Sequence, residues 1–219
     1  MKIRCFVKRL NATELGNTGA NDTYVAIPNE VDLSTMFPNN VPLLIKDKVS
    51  GKAYSPPKSN IKYIQTRQNN QERISGLGEY FRNVQAEAGD EIVFERHDAG
   101  GGTPVYFMDF KHRDVLVFQK GKTFVEILKA GPLSQYQTAH GYCLDVVYQG
   151  QPKQLSVIFK KQEKKKRTSA VATDFYDLVI DGESILDDFS YLDYIEIECS
   201  GMHLARMVTY MEFMFEWGD

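Results

Sequence analysis

The apolar runs in this 219-residue chain are short, and Val115-Leu116-Val117-Phe118 is as long as any. Such runs fall far below the ~20 residues that span a bilayer and below the length of an ordinary buried helix. They are also bounded by Gly, Pro, Asn and Asp. Glu91–Arg96 alternates polar and apolar residues with period two, and Tyr142–Tyr148 and Leu155–Lys160 flank the turn signal Gln149-Gly150-Gln151-Pro152. Short β-branched and aromatic segments between turn residues predict a mainly β chain built from many short strands.

Taken in order, Ile3–Leu10 and Tyr24–Pro28 read as the first two strands, and Glu30–Phe37 as a short helix ended by Pro38. Val41–Lys48 and Lys52–Tyr54 fit a hairpin through Val49-Ser50-Gly51, Ile61–Ile64 leads into an arginine-rich segment, and Glu91–Arg96 follows as a strand. Beyond Gly100-Gly101-Gly102, Pro104–Phe110 and Asp114–Phe118 read as a closing hairpin. Roughly seven or eight strands in residues 1–120 predict a barrel-like domain. Residues 121–219 predict a small strand-rich α+β domain. Thr123–Ala130 reads as strand or helix, Ser184–Phe189 as a short helix, and Phe175–Ile180, Tyr194–Cys199 and Met207–Trp217 as strands.

Charge supports a division of the chain. The net charge of −3 comprises +2 over residues 1–120, +6 over 121–167 and −11 over 168–219. Blocks of opposite sign point to separate domains, or to one part that shields another. Lys160–Arg167 holds six basic residues in eight, as a hairpin end or a non-specific phosphate-binding run would. Three widely spaced cysteines make no disulfide framework, and Met1–Phe6 shows no signal-peptide pattern, so a reducing cytoplasm is the expected location.

Thr66–Tyr80 (T-R-Q-N-N-Q-E-R-I-S-G-L-G-E-Y) stands apart. It carries two arginines, four side-chain amides and two glycines, and its centre has no apolar period. Arg offers a planar fork of donors, and Asn and Gln a donor beside an acceptor. These groups pair with guanine and adenine edges in the major groove of DNA. Asn11–Asp22 is a second polar loop, rich in Gly, Asn and Thr and long for a strand connection.

Three segments carry a family resemblance. Lys8–Pro28 reads K-R-L-N-A-T-E-L-G-N-T-G-A-N-D-T-Y-V-A-I-P, Thr66–Gly78 reads T-R-Q-N-N-Q-E-R-I-S-G-L-G, and Gly89-Asp90-x-Ile92-x-Phe94 follows. In that order they resemble the amino-terminal effector domain of the EcoRII restriction endonuclease, a DNA-binding pseudobarrel related to those of plant transcription factors. The resemblance covers about residues 1–120. It implies a distorted barrel gripping duplex DNA with two major-groove arms, Asn11–Asp22 and Gln65–Gly76. The candidate contacts are Asn11, Thr13, Asn17, Thr18 and Asn21 on the first arm, with Lys8 and Arg9 next to it, and Arg67, Gln68, Asn69, Asn70, Gln71, Glu72 and Arg73 on the second. Lys8 and Arg9 are expected at phosphates, and Glu72 at a cytosine amino group or orienting an arginine. The second arm has extra residues and few lysines, and Leu77 stands where the family has an aromatic residue, so the family's target sequence does not carry over.

The expected role is sequence-specific binding of double-stranded DNA without catalysis or cofactor, as an effector or targeting component alone or with a nuclease partner. Two other classes compete. A type II restriction endonuclease would need clustered carboxylates with a lysine. Asp181, Glu183, Asp187, Asp188, Glu196 and Glu198 are present, but residues 168–219 contain no lysine. A protein-interaction module would use the aromatic end, Tyr210–Trp217, for a partner or self-association. His140-x-x-Cys143 and Cys199-x-x-x-His203 have zinc-ligand types, yet both cysteines sit in apolar strand patterns.

Overall fold

The computed structural model describes residues 1–16, 23–28, 31, 36–37, 44–54, 64–66, 69–71, 73–164 and 172–216, with only the backbone of 64–66 and 69–71. The fold is mainly β, and the chain divides into two units, Met1–His112 with Val208–Asp219, and Arg113–Met207. Among the described residues no helix is long and apolar enough to cross a membrane.

In chain order, unit 1 contains β1 (Lys2–Arg9), β2 (Tyr24–Ala26), β3 (Ile45–Asp47), β4 (Ala53–Tyr54), β5 (Ile64–Thr66), β6 (Asn69–Gln71), β7 (Arg73–Ser75), α1 (Gly78–Asn83), β8 (Glu91–Asp98) and β9 (Val105–Lys111). Unit 2 holds β10 (Val115–Lys120), β11 (Val125–Lys129), β12 (Gln137–Thr138), β13 (Gly141–Tyr148), β14 (Gln151–Lys164), β15 (Ala172–Ile180), β16 (Glu183–Ser184), β17 (Tyr194–Glu198) and β18 (His203–Arg206). The chain then returns to unit 1 as β19 (Tyr210–Glu216).

Unit 1 is built on a six-stranded sheet in the order β19-β1-β8-β9-β3-β4, with β2–β7 and β5–β6 as separate two-stranded ribbons. Alternation along the strands turns Phe6, Ile92, Phe94, Tyr106, Met108 and Ile45 to one face, where they bury against Leu10, Val25, Ile74, Phe37 and the α1 residues Tyr80 and Phe81. Phe37 sits edge-on to Phe94 at 5.8 Å and stacks on Tyr106 at 5.7 Å, the offset geometries that aromatic quadrupoles favour. The expected helix over Glu30–Phe37 lies mostly outside the described residues.

The expected boundary at residue 120 is corrected by β19. It pairs along its whole length with β1, from Lys2↔Glu216 to Lys8↔Tyr210. A fragment ending at 120 would strip β1 of that partner. The expected closing hairpin of Pro104–Phe110 with Asp114–Phe118 also does not form. β9 is taken on one edge by β8 and on the other by β3, in parallel, while β10 pairs with β11 and β17 in unit 2.

Unit 2 is where the sheet closes. Its order β11-β10-β17-β18-β13-β14-β15 is joined into a barrel by β11 to β15, through Val125↔Tyr176. Leu116, Phe118, Leu144, Leu155, Val157, Leu178, Ile195 and Ile197 belong to its core. The run Val115–Phe118 is buried at every position, as an uninterrupted apolar strand covered on both faces must be. The α part of the α+β expectation reduces to two 3-10 turns, Gly131–Tyr136 and Leu186–Asp188, among the described residues. Lys160–Lys164 lies on the far end of β14, paired with β15, and residues 165–167 of the basic run lie outside the described residues.

Candidate nucleic-acid interface

The first arm is anchored by a reciprocal pair of hydrogen bonds. Asn11 Oδ1 accepts from the Glu14 backbone N–H at 2.9 Å, and Glu14 Oε2 accepts from the Asn11 N–H at 2.9 Å. This is capping-box geometry, with the carboxylate reaching back to a cap amide. Glu14 does more than cap. Its Oε2 also accepts from Lys8 Nζ of β1 at 2.9 Å, and its Oε1 accepts from the Ala26 N–H of β2 at 2.8 Å. Its carbonyl takes the Tyr24 N–H at 3.0 Å. One carboxylate therefore fastens the loop's start to the strands on both sides, and its side chain is 1% exposed.

That arrangement corrects the expectation for Lys8. Lys8 is 3% exposed and neutralises Glu14 inside the unit, so it is not at the surface to hold a phosphate. Arg9 is half-buried, with Nε donating to Glu91 Oε1 at 3.2 Å. Asn11 spends its side-chain oxygen on the cap. Thr13 is half-buried, and its carbonyl accepts from Gly16 N–H at 3.1 Å. Asn17, Thr18 and Asn21 lie outside the described residues.

The second arm contains a β-hairpin. β5 and β6 pair through Ile64↔Gln71, Gln65↔Asn70 and Thr66↔Asn69, which places Asn69, Asn70 and Gln71 on one strand. Arg67, Gln68 and Glu72 themselves lie outside the described residues.

The strands that follow the two arms pair with each other. β2 and β7 run antiparallel through Tyr24↔Ser75, Val25↔Ile74 and Ala26↔Arg73. Val25 and Ile74 face each other into the core, so Tyr24 and Arg73 share the opposite face on a diagonal. There the Arg73 guanidinium carbon lies 3.9 Å from the centroid of the Tyr24 ring, a cation–π stack. Arg73 Nε is buried and has no hydrogen-bond partner among the described residues. Burial pushes the Tyr24 phenol above its ordinary range; the Arg73 cation opposes this shift and the Glu14 charge adds to it. A side chain at Gly78, where α1 begins, would meet Thr23 Oγ1 at 2.5 Å, so this glycine lets the helix start close against the foot of the first arm.

Sequence reading missed Glu14 and Tyr24. The signal for Glu14 was visible: Asn11-Ala12-Thr13-Glu14 has the cap-x-x-Glu spacing. Tyr24 carried none, because its partner is brought to it only by strand pairing.

Unit 1 also has a cleft of about 570 Å³ lined by Asp47, Tyr54, Tyr80, Asn83, Phe110 and His112, among others. At its floor Asp47 caps its own turn, accepting from the Ser50 N–H at 2.9 Å, from Ser50 Oγ, and from the Tyr80 hydroxyl at 3.4 Å. Burial favours the protonated carboxyl, but these hydrogen bonds outweigh it and hold Asp47 below the usual carboxylate range. A lowered folded pKa contributes stability above the ordinary value of 3.8, lost as pH falls through the folded value. Asp47→Asn is therefore expected to lower stability at neutral pH and to shrink the loss between neutral pH and about pH 3. Urea titrations of both proteins across that range would check it, and an unchanged acid limb would refute it.

Three of the six carboxylates considered for metal-dependent cleavage are engaged elsewhere. Glu196 is paired with Arg113 at 2.6 Å, Asp181 with Lys153 at 2.5 Å, and Asp188 accepts from the Tyr148 hydroxyl. Among the described residues, no three His, Cys, Asp or Glu side chains are grouped so as to hold a metal ion. Burial and a hydrogen bond to Asp114 push the Cys199 thiol up to about 11, so it stays protonated at neutral pH. No protein-family model matches the chain, and no curated protein matches it either.

Proposed function

We propose that unit 1 recognises double-stranded DNA sequence-specifically, through two arms rooted at the β2–β7 ribbon, as an effector or targeting component that works alone or beside a nuclease. The observation that carries this reading is the register of that ribbon. It brings the foot of the Asn11–Asp22 loop and the foot of the arginine- and amide-rich hairpin to opposite ends of three paired residues. Two strand steps separate them by roughly 7 Å, within the ~12 Å width of a major groove. The stack on Tyr24 holds the Arg73 guanidinium in one place before any ligand arrives, which lowers the entropic cost of using its fork.

Selection of bound duplexes from a random pool at near-physiological salt tests the proposal. An enriched sequence supports it, and a pool that stays random sinks it. On the enriched duplex Arg73→Ala is expected to cost about 1–3 kcal/mol and to relax discrimination at one position. An equal loss on every sequence would assign Arg73 to a phosphate instead.

A further inference from the structure

Two strands bound the six-stranded sheet of unit 1, and they are unlike. β4 has two residues and follows Lys52, so it offers little to an incoming strand. β19 has seven residues, contains no Pro, Lys or Arg, and keeps an unbroken register with β1. Its other edge has no strand partner among the described residues. Phe213, Met214 and Phe215 are 46%, 60% and 51% exposed. A long, regular edge strand with no bulge, no proline and three exposed apolar side chains in a row is a template for another strand.

We propose that the occupant is β19 of a second copy of this chain, paired antiparallel about a two-fold axis through Phe213. The pairing continues the sheet from one copy into the other. The register argument is specific. A two-fold axis normal to a sheet keeps each face on its own side, so odd residues oppose odd and even oppose even. Centred on Phe213, Met211 opposes Phe215 of the partner subunit, Glu212 opposes Met214 of the partner subunit, and Tyr210 opposes Glu216 of the partner subunit. Neither glutamate meets a glutamate. Centring on Glu212 sets that residue against its own copy, and centring on Met214 sets Glu212 against Glu216 of the partner subunit. Like charges directly opposite destabilise a strand pair. The Phe213 register thus avoids both clashes, uses all seven residues and forms a continuous strip of Met211, Phe213 and Phe215 from both copies. Phe213 and Phe215 already stack within one copy at 6.3 Å, and Glu216 is held by Lys2 at 2.7 Å, so the strip and its end are ordered beforehand. This inference does not depend on DNA binding.

Sedimentation velocity of the full chain over a range of concentrations is expected to show a species of twice the chain mass. Phe213→Lys, which sets two lysines face to face on the axis, is expected to return it to a single chain with the thermal transition retained. Crosslinking reads the register independently of whether that variant folds. Phe213→Cys should join two copies under mild oxidation, and Phe215→Cys should not, because only position 213 opposes itself. Both are made with Cys5→Ser, since Cys5 neighbours position 213 on β1. A wild-type chain that remains single at all concentrations, or equal crosslinking from positions 213 and 215, would overturn the proposal.

Discussion

Glu14→Ala is expected to destabilise unit 1 by about 3–5 kcal/mol, the usual cost of removing one partner of a buried ion pair. Lys8 and Glu14 are 3% and 1% exposed, so water cannot replace the lost carboxylate. The change leaves the Lys8 ammonium without its counter-charge and takes the acceptor from the Asn11 and Ala26 N–H groups. Glu14→Gln keeps the shape and an acceptor oxygen but not the charge, and should cost nearly as much. Adding Lys8→Met to Glu14→Gln should recover a large part of the loss, because no bare charge then stays buried. Urea unfolding followed by circular dichroism measures each variant. A Glu14→Ala protein within about 1 kcal/mol of wild type would show that the pair is not closed in solution. A double variant less stable than the single one would show that Lys8 answers to something other than Glu14.

Gly141→Ala is expected to cost unit 2 about 2–4 kcal/mol, from overpacking together with a disfavoured backbone. Gly141 opens β13 at φ +145, opposite Ile158 on β14, and an added Cβ would lie 1.9 Å from the Val157 carbonyl oxygen. That oxygen belongs to a strand in the middle of the barrel and cannot step aside without opening the β13–β14 pairing. Gly150, in the turn of the same hairpin at φ +75, has open space around it, so alanine there should cost only its backbone strain, about 1–2 kcal/mol. Thermal unfolding of the two variants separates the effects. Equal losses at 141 and 150 would mean that the close approach at Gly141 is not present.

Local features of the chain were legible in advance. The hairpin expected around Gln149–Pro152 is β13–β14, with Gln149 and Gly150 at φ 50 and 75 in its turn. The alternation over Glu91–Arg96 is β8, and the aromatic end is β19. Each rests on neighbours in sequence, where the period of apolar residues and the turn chemistry decide the outcome.

The candidate site was legible only in part. The amide-rich stretch was recognisable by composition, and its Asn69–Gln71 pairs with Ile64–Thr66 as β6 with β5. The identity of the working side chains was not recognisable in the same way. Lys8, Arg9 and Asn11 look like any polar residues beside a loop. Their engagement follows from Glu14 and Glu91 coming within hydrogen-bond distance. Arg73 stacks on Tyr24 because β2 and β7 share a register.

What the amino-acid order determined by itself was the mainly β class, the turns, and the segregation of hydrogen-bonding residues into two loops. Those follow from torsional preference and from period-two burial, which act over a few residues. Only tertiary structure decided that β19 completes the sheet of β1, that the barrel closes in residues 115–206 through Val125 and Tyr176, and which cations are buried. Closure and pairing join positions far apart in the chain, and their free energy comes from burying two surfaces at once. No local pattern records which two surfaces meet.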